Sequence, residues 1–127
     1  MMSDGWVLVL EDNEDLCELL VDRLRRSGLD VRCAVNGALA LRMFEERQVP
    51  GVVLSDLLMP GVLGKSVLEY MRGEAELRDI PVAIVTGSPQ RAPQGYRVFT
   101  KPAPFPDVLA FVLSALGRGH DRDATPG

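Results

Sequence analysis

The chain has 127 residues, 46% of them apolar and 25% charged, which suits one compact domain with a real core and excludes a second folded one. Fourteen Lys and Arg against 18 Asp and Glu give a net charge of −4, the wrong sign for gripping nucleic acid through phosphate neutralisation. No run approaches the roughly 18 apolar residues of a membrane span, and the start MMSDGW lacks the regions of a signal peptide, so a soluble cytoplasmic protein is expected.

Segments of two periods alternate along the chain. Val7 to Leu10 is a continuous apolar run ending in Glu11 and Asp12, as in a strand buried on both faces. Leu16, Leu20 and Leu24 then recur at four-residue spacing, Cys17 and Val21 widen the stripe, and Gly28 is placed to end a helix in the left-handed conformation. Val31 to Val35 reads as a second strand. Asn36 is a candidate N-cap for a helix burying Ala40, Leu41 and Phe44, and Pro50 and Gly51 end that unit. Val52 to Ser55 is a third strand, running into Asp56 and the loop LLMPGVLG, and Val67, Leu68 and Met71 mark a third helix. A fourth strand, Val82 to Val85, leads to Thr86 and Gly87. The fifth, Arg97 to Thr100, leads to Lys101 and Pro102, and a last helix from about Pro106 is expected to bury Val108, Leu109, Val112 and Leu116. The tail GRGHDRDATPG is polar, so 1–117 reads as the domain and 118–127 as an appended segment.

Five buried strands with interleaved helices predict an α/β fold, an open doubly wound parallel sheet with helices on both faces, because parallel neighbours need right-handed crossovers. One crossover is irregular. Between Thr86 and Arg97 the chain reads GSPQRAPQGY, broken by Pro89, Pro93 and Gly95, and no regular helix beyond one turn is expected there.

Ligands of such sheets bind at the carboxyl ends of the strands, and the residues at those ends are chemically pointed. They are Glu11 and Asp12 after the first strand, Asp56 after the third, Thr86 after the fourth and Lys101 after the fifth. Three convergent carboxylates repel one another unless a cation or protons join them. An all-oxygen donor set of this size suits Mg²⁺, which keeps several waters and accepts one or two carboxylates plus a phosphate. Lys101 can neutralise a phosphoryl oxygen and Thr86 can donate to another, which together cradle phosphoryl transfer to a carboxylate.

The stretches VLVLEDNE, VVLSDLLMPGVLG, VAIVTG and FTKP, in that order and spacing, resemble the receiver domain of two-component response regulators over nearly the whole chain to about residue 117. The resemblance implies a flavodoxin-like, five-stranded sheet of order 2-1-3-4-5, here with the fourth crossover helix absent or much shortened. It implies Asp56 as phosphoacceptor, with Asp12, Asp56 and the backbone carbonyl of Leu58 as Mg²⁺ ligands and Glu11 acting through water. It also implies that Thr86 binds and reports the phosphoryl group, that Lys101 pairs with it, and that Lys101–Pro102 is a cis peptide; Met59, Pro60 and Gly64 match the family's loop after the acceptor. The implied partners are a histidine kinase or histidine phosphotransfer protein and an unidentified downstream protein; the charge and the lack of an apolar span add the expectation of no nucleic acid and no membrane, and a monomer or weak homodimer is expected. With no output domain after residue 117, a stand-alone receiver is expected, passing its signal to another protein or back through a relay.

Two positions depart from the family's pattern. Val98 stands where an aromatic usually precedes the lysine by three residues, and period-two geometry puts Phe99 on the opposite face. The shortened crossover removes most of a helix that typical receivers use for output. Leu58 and Ser88 occupy positions where the family tunes phosphoryl lifetime.

Plainer readings compete at each residue. Asp56 could cap the turn before Pro60, Glu11 and Asp12 could cap a helix, Thr86 could be a turn residue and Lys101 a solvated lysine. Gly64-Lys65-Ser66 resembles the end of a P-loop, but Met59 stands where the required glycine belongs. His120 has no ligand-type neighbours in the tail. Arg23, Arg25 and Arg26 suit the negative end of the first helix, on a solvated face. Cys17 and Cys33 lack C-x-x-C spacing and read as separate small buried hydrophobes, not as a disulfide or zinc site. Two further functions are carried alongside the receiver: a Mg²⁺-dependent aspartyl-nucleophile phosphohydrolase, and a degenerate receiver that binds partners without phosphorylation. The hydrolase type usually has D-x-D after its first strand and a cap over the site, whereas here Leu58 lies two residues after Asp56.

Overall fold

A computed structural model describes residues 5–56 and 64–117 of the chain. Five strands, β1 (Val7–Leu10), β2 (Val31–Ala34), β3 (Val52–Ser55), β4 (Val82–Thr86) and β5 (Arg97–Thr100), form one sheet of order β2-β1-β3-β4-β5. Every pairing is parallel. The helices are α1 (Glu14–Arg26), α2 (Gly37–Glu45), α3 (Gly64–Gly73) and α4 (Phe105–Ala115). No helix among the described residues is long and apolar enough to cross a membrane.

Strand alternation divides the core in two. Leu8 and Leu10 of β1 pack with Phe44 of α2 and with Val67, Leu68 and Met71 of α3. Val7 and Val9 point the other way, onto Cys17 and Leu24 of α1 and Val108 and Val112 of α4. β1 and β3 are therefore buried at every position and apolar up to Ser55 at the end of β3, as burial on both faces requires.

Local signals set the boundaries. Asn36 caps α2, its side-chain oxygen accepting from the Leu39 amide at 2.8 Å. Asn13 does the same for α1 through the Leu16 amide at 3.0 Å, a cap that sequence reasoning missed although Asn ahead of a leucine stripe is its usual mark. Gly28 follows α1 at φ 88°, where a side chain is strained. β2 ends at Ala34, one residue earlier than expected, because Ala34 pairs with the last residue of β1. β4 runs one residue further, since Thr86 pairs with Thr100. α4 starts at Phe105, and Leu109 and Leu116 are half-buried, not buried, because the buried stripe runs through Val108 and Val112.

The fourth crossover holds a single 3₁₀ turn, Pro89–Arg91. Without a helix there, Val98 is half-buried against the α2–α3 side of the core, while Phe99 is buried on the other. One expectation is overturned: Cys17 of α1 and Cys33 of β2 are joined as a disulfide with Cα atoms 6.6 Å apart. Sixteen residues of separation carry no pairing signal, and the two sulfurs meet only because α1 packs over the edge strand β2.

Candidate functional site

The ladder itself carries the polar residues to one end of the sheet. The Glu11 amide donates to the Ala34 carbonyl at 3.1 Å, the Asp56 amide to Leu10 at 2.8 Å and the Lys101 amide to Thr86 at 2.8 Å. Each residue thus extends its strand by one bond beyond the neighbour's last paired position, which pins its side chain at the carboxyl edge. The Ser55 hydroxyl, fully buried, donates to the Asp56 carbonyl at 3.0 Å and stiffens the same junction.

Lys101 is the hub. Its Nζ donates to Glu11 Oε1 at 2.9 Å and to Asp56 Oδ2 at 3.3 Å. Glu11 Oε2 in turn accepts from the Asn13 amide at 3.2 Å, coupling the site to the cap of α1. Carboxylate oxygens of Glu11, Asp12 and Asp56 all lie within 4.8 Å of one another, with Asp12 more exposed than the other two. Burial pushes the Glu11 carboxyl above its ordinary value, with the Asp56 charge adding to it, against the lowering by Lys101 and the Asn13 amide. For Lys101, burial acts to lower, but the hydrogen bond to Glu11 and the charges of Glu11 and Asp56 outweigh it and hold the ammonium above its ordinary value.

Three carboxylates against one ammonium leave a surplus of negative charge in a partly desolvated corner. That donor set, hard oxygens at convergent positions, fits a divalent cation such as Mg²⁺. Thr86 is buried at the end of β4, and its Oγ1 accepts from the Ser88 amide at 3.0 Å, so its hydroxyl proton is left to donate elsewhere. The Lys101–Pro102 peptide is cis.

Other expected residues fall elsewhere. Leu58, Met59, Pro60, His120 and the tail lie outside the described residues; Gly64 opens α3. The arginines of α1 are engaged within the chain: Arg25 donates to the Val31 carbonyl at 2.8 Å, Arg26 pairs with Asp22 at 3.0 Å, and Arg23 lies 4.3 Å above the Phe105 ring. Beside the acidic cluster, a cavity of about 430 Å³ runs between α1 and α4, with Leu16, Leu20, Phe105 and Val108 among its walls. Sequence reasoning missed it, because each of these residues reads as ordinary core.

Comparison with known proteins gives one answer. The family described as response regulator receiver domain matches residues 7–100. The polar-differentiation response regulator DivK of Brucella anthropi is 33% identical over 118 residues, covering 87% of this chain and 95% of DivK. The sensory transduction protein RegX3 of Mycolicibacterium smegmatis is 32% identical over 92% of this chain, which spans only 53% of RegX3. Among solved structures, the receiver domain of a Syntrophus aciditrophicus signal transduction histidine kinase superposes with a TM-score of 0.78 at 28% identity, covering 89% of this chain and 90% of that one. The receiver domain of the Pseudomonas aeruginosa sensor histidine kinase PA1611, described with a magnesium ion coordinated in its active-site cleft, gives 0.80 at 22% identity, covering 91% and 99%.

Proposed function

Since the chain belongs to the response regulator receiver family, we propose that Asp56 accepts a phosphoryl group from a phosphohistidine on a partner histidine kinase or histidine phosphotransfer protein. The observation that carries this reading is the Lys101 ammonium shared between Glu11 and Asp56, beside carboxylate oxygens gathered within 4.8 Å.

An Asp56 carboxylate oxygen attacks phosphorus in line, the phosphorus–nitrogen bond to the donor imidazole breaks, and an acyl phosphate forms on Asp56. Lys101 neutralises one phosphoryl oxygen and Thr86 donates its hydroxyl proton to another. Asp12 and Asp56 would hold Mg²⁺, with Glu11 contributing through water and, by the family resemblance, the Leu58 carbonyl joining them. Bound there, Mg²⁺ supplies charge neutralisation at the phosphoryl oxygens. Water later hydrolyses the acyl phosphate, so the protein supports its own dephosphorylation while acting as a signal carrier rather than a metabolic enzyme.

The receiver unit is taken as 1–117, which contains the elements from Val7 to Ala115, and 118–127 is read as an appended tail from its polar composition alone. The setting is the cytoplasm, and the chain works as a monomer or weak homodimer whose phosphorylated population engages a downstream protein. Val98 stands in place of an inward-turning aromatic, so the usual ring has no counterpart at that position.

Acetyl phosphate with Mg²⁺, read by intact mass, tests the proposal. One phosphoryl group is added to the wild-type protein, and none to Asp56→Asn or after chelation of the metal. Modification that persists in Asp56→Asn sinks the assignment, and multiple turnover of phosphomonoesters makes the protein a hydrolase instead.

A further inference from the structure

Resting on the Mg²⁺ site of the reading above, we propose that the Cys17–Cys33 pair is a redox sensor for that site: the disulfide holds Glu11 and Asp12 ready for the cation, and its reduction by thiols weakens Mg²⁺ binding. The bond closes a small ring of contacts around the acids. Cys17 lies in the first turn of α1, and its amide donates to the Asn13 carbonyl at 2.9 Å. Asn13 in turn donates its own amide to Glu11 Oε2 at 3.2 Å. On the other side Cys33 precedes Ala34, whose carbonyl accepts from the Glu11 amide at 3.1 Å. The path from Glu11 to Asn13 and Cys17, across the disulfide to Cys33 and on to Ala34, therefore returns to Glu11, and Asp12 lies within it.

With the disulfide formed, carboxylate oxygens of Glu11, Asp12 and Asp56 already lie within 4.8 Å of one another. Donors gathered before the cation arrives lower the ordering cost of binding it. Two thiols cannot stay at bonding distance. Reduction thus lets the first turn of α1 draw away from β2, taking the Asn13 amide with it and loosening the hold on Glu11. The chemistry is reversible and balanced. Cys17 is buried, whereas Cys33 is half-buried on the edge strand, so an incoming thiolate attacks the Cys33 sulfur, the S–S bond breaks and Cys17 leaves as thiolate. A second thiol attacks the mixed disulfide and releases Cys33. The two cysteines have then gained two electrons and two protons, and the two external thiols have become one disulfide. In the proposed cytoplasmic setting thiols are kept reduced, and the disulfides that do form there usually act as catalysts or sensors.

Calorimetric titration of the full chain with MgCl₂, oxidised and after reduction by dithiothreitol, tests the proposal at a temperature where circular dichroism shows both forms folded. The reduced form is expected to bind about fivefold more weakly, at the low end of the usual coupling between sites. Linkage demands the reciprocal effect: saturating Mg²⁺ is expected to shift the equilibrium with a glutathione redox buffer about fivefold towards the disulfide, read by alkylating free thiols and weighing the intact protein. Cys33→Ser is expected to bind Mg²⁺ as the reduced wild type does and to ignore dithiothreitol; the wild-type comparison stands by itself if that variant does not fold. Equal affinities in the two redox forms, as for a cross-link that serves stability alone, or tighter binding after reduction, overturn the inference and leave the receiver reading intact. A glutathione equilibrium unmoved by Mg²⁺, or a chain that forms no internal disulfide under oxidised glutathione, also overturns it. Absence of Mg²⁺ binding in both forms overturns both.

Discussion

Lys101 binds two carboxylates that arrive from different strands, and removing its charge leaves Glu11 and Asp56 facing each other without a shared cation. Lys101→Met is therefore expected to destabilise the metal-free protein at neutral pH by about 1–3 kcal/mol, the usual penalty for removing one partner of a buried charged hydrogen bond. The folded ammonium titrates above its ordinary 10.5, so its contribution is whole below 10.5 and is lost as pH rises through the raised value. Urea midpoints followed by Trp6 fluorescence should thus fall more steeply with alkaline pH in the wild-type than in Lys101→Met, and the two curves should converge. Equal midpoints at neutral pH would mean that the hub contributes nothing. Glu11 is also raised, so its proton is favoured in the folded state: that contribution is whole below 4.5 and fades as pH climbs through the raised value. Each of these residue types was legible at a strand end. What escaped a reading of the sequence was which carboxylates the lysine would choose, because Glu11 and Asp56 lie 90 and 45 residues from it.

Helix α1 is tied to the sheet by three different devices. Asn13 caps its start and also meets Glu11 through its own amide, Arg25 reaches the Val31 carbonyl, and the Cys17–Cys33 disulfide joins it to β2. A cross-link closing a loop of this length restricts the unfolded chain by up to about 3 kcal/mol in the loop-entropy treatment. Urea unfolding with and without dithiothreitol should show the reduced protein less stable by an amount up to that figure, and Cys33→Ser should lose the difference. A midpoint indifferent to reductant would show that the bond does not constrain the unfolded state. The element itself was readable from its leucine stripe and from Gly28, both local patterns. Its cross-link was not, since the spacing of two cysteines says nothing about which helix lies over which strand.

At the scale of the whole molecule, one sheet is shared by two apolar clusters, and no strand belongs to one cluster alone. Leu54 of the central strand β3 is 1% exposed and packs in the cluster beneath α1 and α4. Leu54→Ala is expected to cost about 3–4 kcal/mol, with far-UV circular dichroism and Trp6 fluorescence reporting a single coincident transition, because the second cluster cannot persist on a sheet that has come apart. Two separated transitions would show that the faces unfold independently.

Periodicity, the turn residues and the identity of the side chain closing each strand were enough to determine a parallel sheet with its acids, hydroxyl and ammonium at one edge. Burial is patterned locally, and parallel strands admit few connections. Tertiary structure alone decided the sharing of Lys101, the meeting of Cys17 with Cys33 and the slot between α1 and α4. These depend on how far each helix sits from the sheet and at what angle, which is settled by the summed packing of residues distant in the chain.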